Sequence, residues 1–207
     1  METPDQSQGR VSAAAKTLRI LTAPPCMIAW LLVFLRCRGG EPFSDTAAYV
    51  VAWIGLVLFP LLGYGVWWLV PRLREQGRPG QRKVAFYANF IGYVGCAVYG
   101  WTCSGASVRL FFNSYFFTVL LLTVMNALLH VRASGHAASA SSPIVFSWLF
   151  AGPAWSIIAY MVAFGLSVWS SLVLKRHKKT DILAGVACML TGFLISLALA
   201  LDSGWRP

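Results

Sequence analysis

Lys175-Arg176-His177-Lys178-Lys179-Thr180-Asp181 sets four cations and one of the chain's three histidines between two long apolar segments. Charges in that position must face water, a partner or a charged ligand, so the stretch marks a junction between two helices at a membrane surface. Working outward, the apolar segments run over about 154–174 and 180–201, each long enough to cross a bilayer. The whole chain agrees with its end. Of 207 residues, 57% are hydrophobic and 12% charged, with a mean hydropathy of +0.65. A soluble domain carries about 25% charged residues. The composition therefore predicts an all-α, polytopic membrane helical bundle with six to seven helical segments.

The remaining segments fit that expectation. Residues 1–17 read as a polar N-terminal tail, 18–201 as a single membrane-embedded helical domain, and 202–207 as a second tail. Pro24-Pro25 is expected to kink the first span, over about 18–35. The second, over about 46–70, ends in Trp67-Trp68, an interfacial aromatic pair. Residues 71–83 carry five cations with Gly77, Pro79 and Gly80 and read as an exposed basic loop. In the third span, over about 84–103, Gly92, Gly95 and Gly100 permit close helix packing. The fourth span covers about 108–130, and its Asn113 suits interhelical hydrogen bonding. The five scattered cysteines, with no CxxC pair, read as small core residues; only Cys37 and Cys103 fall on one membrane face, where a bridge could form.

One hairpin upstream of the opening stretch lies a second polar island, Arg132-Ala133-Ser134-Gly135-His136. Ser134 is positioned as the N-cap of a shorter helix reaching about residue 150, bent at Pro143. Two crossings separate the islands, so they share a face. If all seven segments cross, that face holds every Lys and Arg except Arg36, Arg38, Arg109 and Arg206. The positive-inside rule makes it cytoplasmic. The net charge of +10 then reflects orientation, the lipid bilayer and a phosphorylated substrate, and not nucleic acid.

The islands contain residue types suited to phosphoryl chemistry. Asp181 follows His177 by one helical turn, so its carboxylate can fix the imidazole tautomer and raise its basicity. Lys175, Arg176, Lys178 and Lys179 surround that pair. Ser134-Gly135-His136 offers helix N-terminal amides, a hydroxyl and a second imidazole placed as a general acid. Asn126 and His130, four residues apart, share a face leading into Arg132 and are candidates to line the site. A metal held by His130, His136 and His177 has no recognised ligand spacing behind it, so no metal or other cofactor is expected.

Ala133-Ser134-Gly135-His136-Ala137 is similar to the Pro-Ser-Gly-His motif of the type 2 phosphatidic acid phosphatase superfamily. His177 and Asp181, followed by Ile182-Leu183-Ala184-Gly185, resemble its later motif: Arg, five residues, His, three residues, Asp, then an apolar helix. The resemblance covers roughly the C-terminal third of the chain. It implies a metal-independent phosphohydrolase acting on a lipid phosphate or polyprenyl (di)phosphate. By position, His177 would attack phosphorus, Asp181 would orient it, and His136 would protonate the leaving group. Ser134, Gly135 and the nearby cations would hold the equatorial oxygens.

The sequence also departs from the family pattern. The family's first motif, Lys followed after six residues by Arg-Pro, is missing between the third span and Ser134, and Ser171 stands where the later motif has arginine. Arg132 and Arg176 are the expected substitutes for those cations. Well-known members of the family carry six spans and an outward-facing site, whereas the charge distribution here points inward. Two other readings accompany the phosphatase: a family member without turnover that binds or regulates lipid phosphates, and a small transporter or scaffold. The last would show an internal repeat, and none is visible.

Overall fold

The computed structural model describes residues 4–205, and every regular element among them is a helix. Helices satisfy their own backbone hydrogen bonds, as an apolar surrounding demands. The first two, α1 (Pro4–Leu21) and α2 (Pro24–Cys37), meet at a bend of 54°. Pro24 and Pro25 have no amide hydrogen to continue the ladder. In an unbroken helix the Ala23 N–H would donate to the Arg19 carbonyl; here it donates to the Ile20 carbonyl at 3.1 Å.

The polar tail expected over 1–17 is instead helical from Pro4. Proline is well tolerated at a helix start, and the apolar side of α1 is anchored by the fully buried Ala15. The basic stretch expected to be a loop over 71–83 is also largely helical. It forms α4 (Pro71–Glu75) and the first turns of α5 (Gly77–Cys103), because Arg, Glu, Gln and Lys are good helix formers once Pro71 has set the start. Between α2 and α4, α3 (Thr46–Leu69) begins at Asp45, whose carboxylate accepts from the Ala47 and Ala48 amides at 3.0 and 3.2 Å. The chain continues through α6 (Ala106–Leu128), α7 (Gly135–Leu149), α8 (Ala154–Val173) and α9 (Lys179–Asp202).

Helices α3, α6, α8 and α9 are each long and apolar enough to cross a membrane, and the bent α1–α2 pair makes a fifth if taken as one span. The chain is thus an all-α membrane bundle. The 15 residues of α7 extend about 22 Å, short of the ~30 Å hydrocarbon core, and most of them are buried. It packs against α2, α8 and α9, while α9 lies along α6, and α5 lies between α3 and α6.

The core is aromatic, centred on Phe43, Phe111, Phe112, Tyr115 and Phe146, with the Phe111 and Phe146 rings 4.5 Å apart. Of the glycines expected to bring helices together, Gly92 does so most closely. A Cβ there would lie 2.1 Å from the Gly55 carbonyl oxygen, whereas Gly95 faces open space. All five cysteines are free thiols, with Cys37 and Cys103 exposed. The far end of the bundle is tied by Trp205 Nε1–H donating to Ser107 Oγ at 2.8 Å. Arg206, counted above with that end, lies outside the described residues.

Candidate active site

The loop between α8 and α9 is held at both ends by its own backbone. The Lys175 N–H donates to the Leu172 carbonyl and the Arg176 N–H to the Ser171 carbonyl, both at 3.0 Å. This is a Schellman closure of α8. Lys175 occupies the left-handed position at φ +50°, where glycine is usual. At the other end, the Asp181 carboxylate accepts from the Lys178 N–H at 3.2 Å and so caps α9. His177 sits between these two anchors.

The expected one-turn pair forms: His177 Nδ1–H donates to Asp181 Oδ2 at 3.4 Å. The side chains are 17% and 8% exposed, respectively. With Nδ1 engaged, the Nε2 lone pair is the nucleophilic edge, and no hydrogen bond takes it among the described residues. Burial lowers the His177 pKa; the bond to Asp181 opposes this, and the charges of Arg19 and Arg132 reinforce it. A lowered value keeps the ring neutral near pH 7, the form that can attack.

The second island docks directly onto the first. The Ser134 N–H donates to the Asp181 carbonyl at 2.8 Å, and Gly185 lies against the Ser134 backbone. Asn126 clamps the loop before α7: its Oδ1 accepts from the Ala133 N–H at 3.1 Å and its Nδ2 donates to the Ala133 carbonyl at 3.2 Å. Asn126 thus shapes the site through the backbone and does not line it. His130, at φ +53° and exposed, makes no hydrogen bond to the cluster among the described residues.

Ser134 is fully buried, and its Oγ accepts from the Ala137 N–H at 3.3 Å. The expected N-cap is therefore present, but the hydroxyl is committed to the helix. The α7 N-terminus, where Gly135 is exposed, is the part of this element whose backbone and dipole suit an anion. His136 Nε2 is buried without a hydrogen-bond partner. Its pKa falls to about 3, mainly through burial and then through the charge of Arg19, while the Arg19 carbonyl, as a hydrogen-bond acceptor, acts in the opposite direction.

The cations divide their roles. Arg132, its side chain 61% exposed, places Nε 3.9 Å from Asp181 Oδ2, and its NH2 group donates to the Arg176 carbonyl at 3.4 Å. It therefore bridges the two islands. Arg176 is half-buried and Lys175 exposed. Arg19, which sequence reasoning missed, reaches in from α1 and donates from NH1 to Ser171 Oγ at 2.9 Å. No signal in the sequence pairs two residues so distant.

No three or more His, Cys, Asp or Glu side chains come together as a metal site among the described residues. The site combines a carboxylate-held imidazole, a second neutral imidazole, a helix N-terminus and several cations. Groups of these types suit an oxyanion held beside a nucleophilic nitrogen. Compared with protein-family models, curated proteins and solved structures, the chain gives no match.

Proposed function

We propose that the protein is a membrane phosphohydrolase that removes phosphate from a lipid or polyprenyl (di)phosphate through a phosphohistidine intermediate. The observation that carries this reading is the His177–Asp181 pair, with Nδ1 held and Nε2 available, joined by a backbone hydrogen bond to the helix start that bears His136. The resemblance of both islands to the phosphatidic acid phosphatase motifs points the same way.

In this mechanism His177 Nε2 attacks phosphorus and an N–P bond forms as the bond to the leaving oxygen breaks. His136 supplies the proton to that oxygen, then removes one from the water that cleaves the N–P bond. A free His136 with a pKa of about 3 holds too little proton for the first step at neutral pH. A bound phosphate dianion supplies the correction, since a nearby negative charge raises the pKa of an imidazole. Exposed amides at the α7 N-terminus and the surrounding cations balance charge on the equatorial oxygens. The apolar bundle suits a substrate carried in the bilayer, and the cation-rich end is assigned to the cytoplasmic face of a cell membrane by the positive-inside rule.

The test is phosphate release from lipid and prenyl phosphates by purified protein in EDTA. Wild type is expected to turn over and His177→Ala to be inactive. Loss of wild-type activity in EDTA would indicate a metal enzyme instead. Lipid-phosphate binding without turnover would favour a regulatory binder.

A further inference from the structure

Arg19 is the cation that the reading so far leaves without a task. It lies in the last turn of α1, just before the proline break, and α1 packs against α8. Its NH1 group donates to Ser171 Oγ, one helical turn before the loop that carries His177. A guanidinium has five N–H donors in a planar fork, and one bond to a neutral hydroxyl leaves most of them open. The side chain is half-buried, and no carboxylate pairs with it among the described residues. The charged group that acts most strongly on it is another cation, Arg176. Its own charge is felt by both imidazoles of the site.

An arginine placed partly out of water, beside like charge and two neutral imidazoles, is an unfavourable arrangement in isolation. Asp181, the carboxylate of the cluster, is already bound by His177, the Lys178 amide and Arg132. What the arrangement lacks is an anion, and a phosphate fits the fork in the bidentate geometry that arginine favours. Ser171 Oγ holds one arm of the guanidinium and so limits the orientations of the other.

We infer that Arg19 is a phosphate-binding residue of the site, contributed by the N-terminal helix and aimed by Ser171. The inference rests on the phosphohydrolase reading for its kinetic consequence, but not for its binding consequence. Arg19 would hold oxygens of the transferring phosphoryl group across from the α7 N-terminus, with its strongest effect as charge develops on them.

The experiment compares wild type with Arg19→Gln, Arg19→Lys and Arg19→Met, full-length and in detergent, using turnover of a prenyl phosphate and binding of orthovanadate. Arg19→Gln keeps a hydrogen-bond donor on a shorter side chain but removes the charge, so the thermal midpoint separates a merely structural loss from a loss of binding. The expected result is a fall of about 10²-fold or more in kcat/KM for Arg19→Gln. Orthovanadate binding is expected to weaken at least tenfold, with the thermal midpoint kept. Arg19→Lys is expected to recover part of both. Wild-type kcat/KM and vanadate affinity in Arg19→Gln would overturn the inference, as would loss of folding in Arg19→Gln together with full activity in Arg19→Lys and in Arg19→Met. If wild type shows no turnover, the phosphohydrolase reading fails by itself. Vanadate affinity then decides the role of Arg19: weaker in the variant supports it, equal overturns it.

Discussion

Gly185 packs so tightly against Ser134 that a Cβ on it would fall 2.2 Å from the Ser134 carbonyl oxygen. One turn earlier on the same helix, the Asp181 carbonyl accepts the Ser134 N–H. The two polar islands are therefore one backbone-built unit. Their separation is fixed by the absence of a side chain at residue 185.

Gly185→Ala should force α9 away from the α7 start. The added methyl meets backbone, which cannot rotate aside, so a cost of about 1–3 kcal/mol is expected, with turnover lost beyond what the stability change explains. Gly95→Ala, which enters open space, is the control and should be neutral or stabilising by up to about 1 kcal/mol. Thermal midpoints in detergent and phosphate release measure both.

Asp181→Asn keeps the shape and an oxygen that can accept from His177 and the Lys178 amide, but removes the negative charge that supports the basicity of the imidazole. Turnover is expected to drop about 10²–10⁴-fold. Rapid quench with a radiolabelled lipid phosphate should trap an acid-labile, base-stable phosphoenzyme in wild type and none in His177→Ala. A covalent adduct that survives in His177→Ala would remove His177 from the nucleophile's role.

The histidines give the protein a directional response to acid. His136 and His177 both titrate below their ordinary value in the fold, so as pH falls the unfolded chain takes up protons before the native one does. Their contribution to stability is complete above a pH of about 6.5. It is lost as the pH drops toward the folded values, which for His136 is about 3, at no more than ~1.4 kcal/mol per pH unit for each ring. Thermal midpoints followed from pH 7.5 down to 4.5 should show this decline, and His136→Gln should flatten it. Inorganic phosphate should move the His136 titration upward in ring-nitrogen NMR spectra.

Lys175 adopts φ +50° at the end of α8, a conformation costing a non-glycine residue roughly 1–2 kcal/mol. Lys175→Gly should raise the thermal midpoint. A drop in substrate affinity alongside that gain would show that the lysine is kept in its strained position for its charge.

Sidedness is open to a direct probe. Cys37 and Cys103 are exposed and close the helices α2 and α5 at the end away from the islands. In intact cells a membrane-impermeant maleimide should label these two, while a cysteine introduced by Lys178→Cys in a Cys37→Ser, Cys103→Ser background should stay unlabelled until the cells are opened. The reverse pattern would place the site on the outer face.

Much of the site's framework could be read from local spacing. The His177–Asp181 pair is a one-turn relation, and the Ser134 cap follows from a polar residue preceding a helix, so both are legible in a single stretch. The meeting of the islands was expected from two intervening crossings; α7 and α8 do bring them together, but α7 is too short to be a crossing. Other features needed the third dimension. Arg19 and Ser171 are 152 residues apart, and Arg19 reads only as a cation at the start of the first span. The stretch before it reads as a polar tail because short, small and charged residues mask a helix whose buried side includes Ala15. Arg132 reads as a site cation from its place beside Ser134, yet only the three-dimensional structure shows it crossing to Asp181 and the Arg176 carbonyl. Asn126 shares a face with His130 by periodicity, but its clamp on Ala133 depends on a loop turning back.

The proline pair at residues 24 and 25 has a consequence for proton traffic. By diverting the Ala23 amide to Ile20, the break leaves the Arg19 carbonyl for the His136 ring. A carbonyl acceptor beside that ring favours its protonated form, so the kink in the first span partly offsets the burial that keeps His136 neutral.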